Sequence, residues 1–149
     1  MSEFKKFYVF AMNAKFYMAI YFVATLFIVS IVTLIFGGES VSILTLFEML
    51  FVNMVSGFLQ AIMLKEGTDY SKGIFFGRSI LWLIISVGIT TLTAVLFGWF
   101  KGYPSYCILI FILFMLFGFC TMLYGLKFEQ DADTVHLNSQ LDQYKNTKN

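Results

Sequence analysis

Charged residues divide the chain into long uncharged stretches. Uncharged runs of 23, 22 and 25 residues follow Lys15, Arg78 and Lys101. A further stretch, residues 40–64, holds one charge at Glu48. A helix needs about 20 apolar residues to cross the hydrocarbon core of a membrane. The pattern therefore predicts four transmembrane helices, at about residues 16–36, 41–63, 79–99 and 105–126.

Helices are expected in these segments because lipid offers no hydrogen bonds to an open backbone. Gly37, Gly38, Gly102 and Pro104 lie between spans and favour turns. The composition agrees, since 13% of the residues are charged and a soluble domain has about a quarter. We predict an all-α polytopic membrane protein, with residues 1–127 as a four-helix transmembrane domain and 128–149 as a cytosolic helical tail.

The basic residues lie almost entirely on one side of the predicted spans. Lys101 is alone on the other side, and the positive-inside rule therefore makes the richer side cytoplasmic. This predicts a multi-pass protein of the cell membrane with both termini in the cytosol. Trp99 marks the outer edge, and Trp82 is expected near the inner edge, as interfacial aromatic residues. The basic residues of the cytoplasmic side are Lys5, Lys6, Lys15, Lys65, Lys72, Arg78, Lys127, Lys145 and Lys148.

The second predicted span carries a polar face. At 100° per residue, Asn53, Ser56 and Gln60 fall within about 60° of one another. Gly57 and Ala61 continue from Asn53 at helical spacing as a ridge of small residues, which lets another helix approach closely. We predict that Asn53, Gly57, Gln60 and Ala61 pack against a helix, either of the same chain or of a second copy in a homodimer. A path for a substrate or ion is the alternative.

Glu48 lies on the same span but off this face, about two turns from the outer surface. Its carboxylate could bond to Thr or Tyr hydroxyls or extend outward. A proton-coupled role is the functional alternative.

The sequence holds no recognisable catalytic set. It has one histidine and two cysteines, which are too few for a structural metal site. It has no nucleotide-binding loop and no nucleophile elbow. We therefore predict no enzymatic activity, no cofactor and no metal.

The last segment, "FEQDADTVHLNSQLDQYKNTKN", is polar and has no glycine or proline. A helix that lies on the membrane surface would carry Lys or Arg on its polar face, whereas this segment carries acidic residues. We predict that the fourth helix continues into the cytosol and offers apolar patches to a protein; a solvated, frayed helix end is the alternative. Two apolar stripes follow helical spacing on opposite sides: Phe128, Ala132 and Val135, then Leu137, Leu141 and Tyr144.

Four spans, a basic start and the tail "DADTVHLNSQLDQYK" resemble a family of small membrane proteins of low-GC Gram-positive bacteria. Several members belong to LytTR regulatory systems. The resemblance implies an anti-activator that binds a LytTR-type DNA-binding regulator, without direct contact with nucleic acid. It supplies no catalytic residues.

On this interpretation the tail is the contact surface and membrane lipid surrounds the rest. Apolar anchors carry most of an interface's energy, and acids attract a basic DNA-binding surface. Two other functions stay open: a small multidrug or proton-coupled transporter with Glu48 as its acid, and an accessory subunit of a larger membrane complex. The predicted contact residues are Phe128, Asp131, Asp133, Val135, Leu137, Leu141 and Tyr144.

Overall fold

Four long helices form the described part of the protein. The computed structural model describes residues 3–64 and 71–147. Each helix contains a segment long and apolar enough to cross a membrane, which confirms the prediction of an all-α protein with four spans and indicates a multi-pass membrane protein. The helices are α1 (Glu3–Ile35), α2 (Ile43–Met63), α3 (Lys72–Leu96) and α4 (Cys107–Thr147).

Two helices begin earlier than the charge pattern suggests. The segment of α1 that is long and apolar enough to cross a membrane starts at Phe10, and that of α3 at Gly73, whereas the predicted spans start near residues 16 and 79. The charge pattern places the start of the first span after Lys15 and the start of the third span after Arg78. A helix does not end at a charge, however, because its backbone bonds continue and a long basic side chain can reach the membrane surface.

Glycines in the left-handed region end α1 and α3. Gly37 has φ +80° and Gly98 has φ +66°, a conformation that glycine adopts without steric cost. After each one, the next N–H turns back to the helix: Gly38 to the carbonyl of Thr33 at 2.9 Å, and Trp99 to that of Ala94 at 2.9 Å. This is the Schellman arrangement of a helix C-terminus. Gly37 was among the predicted breakers and Gly98 was not.

The helices run up and down in chain order around a shared core. Neighbours along the chain pack together, and α4 closes the ring against α1. The start of α1, the end of α2, the start of α3 and the extension of α4 therefore share one end, called the terminal end here. The opposite end, the turn end, carries residues 36–42 and 97–106. The largest fully buried side chains include Tyr21, Trp82, Phe111, Met115 and Phe119.

Large apolar side chains cover the outside of the spans. Phe27, Phe51, Leu92 and Phe117, one from each helix, are all more than half exposed. Such a surface suits lipid rather than water. α4 is different beyond its span, which ends at Gly125, since the helix continues to Thr147. At 1.5 Å per residue this extension is about 33 Å long.

Candidate functional site

A buried polar ladder joins α1 to α2. The Tyr21 hydroxyl donates to Gln60 Oε1, and Thr25 Oγ1 donates to Asn53 Oδ1 at 3.0 Å. Asn53 also donates through Nδ2 to the carbonyl of Met49 at 2.8 Å. These four polar side chains are all at most 1% exposed. Each of these four side chains thus has a hydrogen-bond partner inside the protein, as burial away from water favours.

Gly57 lies between Asn53 and Gln60 on α2, and at this residue the backbones of α1 and α2 meet. A Cβ built on Gly57 would be 2.8 Å from the backbone N of Met18 and 2.9 Å from the carbonyl O of Ala14. Ala61, the next small residue along the ridge, is 7% exposed. The structure therefore places all four predicted packing residues of α2, including Asn53 and Gln60, in the interior. It pairs their ridge with α1 of the same chain, at Gly57.

Trp82 connects this ladder to the other two helices. Its indole N–H donates to the carbonyl of Ser56 at 3.1 Å, and its ring stacks on Phe119 at a centroid distance of 5.5 Å. The Tyr21 ring packs against both, at 5.1 Å from Trp82 and 5.0 Å from Phe119. The sequence predicts Trp82 near the inner edge of the membrane as an interfacial residue, whereas the structure places its side chain fully buried inside the bundle. Its N–H is satisfied by a helix carbonyl instead of the interface.

Glu48 and Trp99 form a second polar contact near the turn end. The Trp99 indole N–H donates to Glu48 Oε2 at 2.8 Å. The turn at Gly98 directs Trp99 back over the bundle, where it is 9% exposed. The partner of Glu48 is thus an indole and not one of the hydroxyls considered from the sequence. An indole N–H is a donor only, and the Glu48 oxygen accepts it.

The terminal end collects the described basic residues except Lys101. Arg78 donates to the carbonyl of Met63 at 3.1 Å, which places its positive charge at the C-terminus of α2, where the helix dipole favours a cation. Lys127 lies 6.0 Å from the centre of the Phe75 ring and joins α4 to α3 where α4 leaves the span. The extension of α4 therefore starts next to α3, at the basic residue Lys127.

The extension is helical through the predicted contact segment. Phe128 is 70% and Tyr144 is 60% exposed. They are sixteen positions apart in the helix, so they lie about 24 Å apart along the axis and about 160° apart around it. The side chains of the other predicted contact residues lie outside the described ones, although their backbone belongs to α4. These are Asp131, Asp133, Val135, Leu137 and Leu141.

The described residues contain no group of three or more His, Cys, Asp or Glu side chains that could hold a metal ion. Comparisons with protein families, curated proteins and solved structures find no match to this chain.

Proposed function

We propose that this protein is a membrane-bound inhibitor that holds a cytosolic LytTR-type DNA-binding transcription regulator by protein–protein contact. The observation that supports this most directly is the extension of α4. The helix continues from Gly125, where its span ends, to Thr147. An already formed helix loses less conformational freedom on binding than a flexible tail does, which suits a docking element.

The proposal requires the terminal end to face the cytosol. Nine of the ten basic residues belong to this end by sequence, and such a bias sets the orientation of membrane proteins. A reporter active only in the cytosol should give signal when it is fused after Asn149. A reporter active only outside should be silent at the same position, and the reverse pattern contradicts the orientation.

The composition of the extension fits a DNA-binding partner. Residues 127–149 carry four acids against three lysines, and the surface that meets phosphate in a DNA-binding domain is basic. The acids would attract that surface, while Phe128 and Tyr144 add exposed aromatic area. A regulator held here would be kept at the membrane, away from its promoter.

Two kinds of variants separate the apolar and charged contributions. Leu137→Ala with Leu141→Ala should weaken binding about tenfold or more at any salt concentration, because interface anchors are worth about 2 kcal/mol or more. Asp131→Asn with Asp133→Asn should weaken binding mainly at low salt, because rim charges act over a range that salt shortens. Gln140→Ala changes an exposed polar side chain of the same helix and is the matched control. Binding of a purified LytTR-type regulator from the same organism, measured across a salt series, is the assay.

A transporter is the second candidate, and Glu48 is the residue that favours it. It is the one acid within the four described spans. It lies five residues from the start of α2 at Ile43, however, whereas coupling sites of transporters lie near the middle of the membrane. Proton uptake coupled to ligand binding by the purified protein would support the transporter instead of the inhibitor.

A further inference from the structure

A groove opens between α2 and α3 near the turn end. Its volume is about 430 Å³, within the range of roughly 300–1,000 Å³ typical of small-molecule sites. Phe47 and Phe51 line it from the side of α2, and Ile89 and Phe97 from the side of α3. Glu48 also lines the groove, so one carboxylate lies within an otherwise largely apolar surface.

The groove follows from how α2 packs. Its small-residue ridge brings α2 into backbone contact with α1 at Gly57, and α2 approaches α3 much less closely. Where α2 faces α3, three phenylalanine rings project outward, and each is more than 60% exposed. These are Phe47 and Phe51 of α2, and Phe97 just after the end of α3. Bulky rings at this edge leave a cleft between the two helices that faces the lipid.

Glu48 brings an unbalanced negative charge to this cleft. Trp99 supplies one hydrogen bond, to Oε2, while a carboxylate can accept about four. Among the side chains that the structure describes, no basic one pairs with Glu48. A carboxylate in the membrane is costly unless it is paired, so a positive charge entering the groove would be stabilised there.

We propose that this groove binds a lipophilic organic cation, with its apolar body against the phenylalanine rings and its positive centre at Glu48. Aromatic faces attract cations as well as apolar groups, so the rings add to both parts of the contact. The inference rests on the groove and the charge of Glu48 alone, and it is independent of the proposed regulator. The ligand class is a monovalent cation with a bulky hydrocarbon surface, and a neutral lipid chain is the competing occupant.

Tetraphenylphosphonium and tetraphenylborate test the proposal, because they have nearly the same shape and opposite charge. Binding of each to the purified full chain in detergent can be measured by calorimetry. Glu48→Gln removes the charge and keeps an oxygen that can accept the Trp99 hydrogen bond. Glu39→Gln removes an exposed acid from the neighbouring turn and is the matched control.

The wild type and Glu39→Gln should bind the phosphonium at least about tenfold more tightly than the borate, and Glu48→Gln should lose that preference. Val55→Phe fills the groove from α2 and leaves the carboxylate in place, so it should also weaken phosphonium binding. This second variant tests the groove independently of any effect of Glu48→Gln on folding. Equal binding of the two ions by the wild type would indicate an apolar, lipid-filled groove and would overturn the proposal. Unchanged phosphonium binding in either Glu48→Gln or Val55→Phe would also overturn the proposal.

Discussion

Substitution of Gly57 by alanine tests the contact between α1 and α2, which organises the bundle. The added methyl would lie 2.8 Å from the backbone N of Met18 and 2.9 Å from the carbonyl O of Ala14. Ordinary contact begins at 3.4 Å, so the helices must separate by about half an ångström. Both neighbours are backbone atoms, and neither can move away by changing a rotamer.

The expected cost follows from two opposing effects. Forcing an extra methyl into a well-packed contact costs about 1–3 kcal/mol. Alanine favours the helix over glycine by up to about 1 kcal/mol. We therefore expect Gly57→Ala to lower the free energy of unfolding by up to about 2 kcal/mol, and to be less stable than an unobstructed Gly→Ala change by about 1–3 kcal/mol. Gly57→Leu should cost more, because a larger side chain would separate the helices further.

Equilibrium unfolding of the purified protein with SDS provides the measurement. The chain has two tryptophans, and Trp82 is fully buried where the four helices meet, so tryptophan fluorescence reports the loss of packing. Gly88→Ala is the matched control, since a Cβ at this α3 glycine meets nothing within 4 Å; it should be neutral or slightly stabilising. If Gly57→Ala proves as stable as Gly88→Ala, the two backbones are not in contact at Gly57, and the geometry described above is refuted.

Two further predictions use the same unfolding assay. Gln60→Leu should lower the free energy of unfolding by about 1–3 kcal/mol, because the buried Tyr21 hydroxyl loses its partner. Adding Tyr21→Phe should recover part of that loss. If the effects of the two substitutions simply add, the hydrogen bond between these side chains contributes nothing to stability. Gly98→Ala should lower the free energy of unfolding by about 1–2 kcal/mol, because alanine is strained in the left-handed conformation. Gly77→Ala is the control and should cause no such loss, because a Cβ there lies in open space on α3. Equal stability of the two variants would exclude a positive φ at Gly98.

Much of the fold can be predicted from the sequence because charges are so costly in lipid. The uncharged stretches indicate four helices, and the spacing of Asn53, Gly57 and Gln60 places them on one face. The helix that covers this face could not be identified, because helical spacing carries no information about the partner. The structure supplies it, through Thr25 and Tyr21 of α1.

The errors arise where a residue's role depends on distant parts of the chain. Trp82 resembles an interfacial tryptophan by position, but the carbonyl of Ser56 on another helix allows it to be buried. Glu48 could not be matched with Trp99, since the two lie 51 residues apart. The positive φ of Gly98 is a backbone property, and glycine within an apolar run does not reveal it. The predicted contact role of Phe128 concerns a partner outside the chain and stays a prediction.

Cellular location of the regulator tests the proposed function most directly. A fluorescent LytTR-type regulator from the same organism should lie at the membrane in cells that make the full chain. In cells that make residues 1–127, it should leave the membrane and its target transcription should rise. Membrane fractionation must show that the truncated chain is still inserted. Retention of the regulator at the membrane by residues 1–127, with transcription still repressed, would contradict a docking role for the extension of α4.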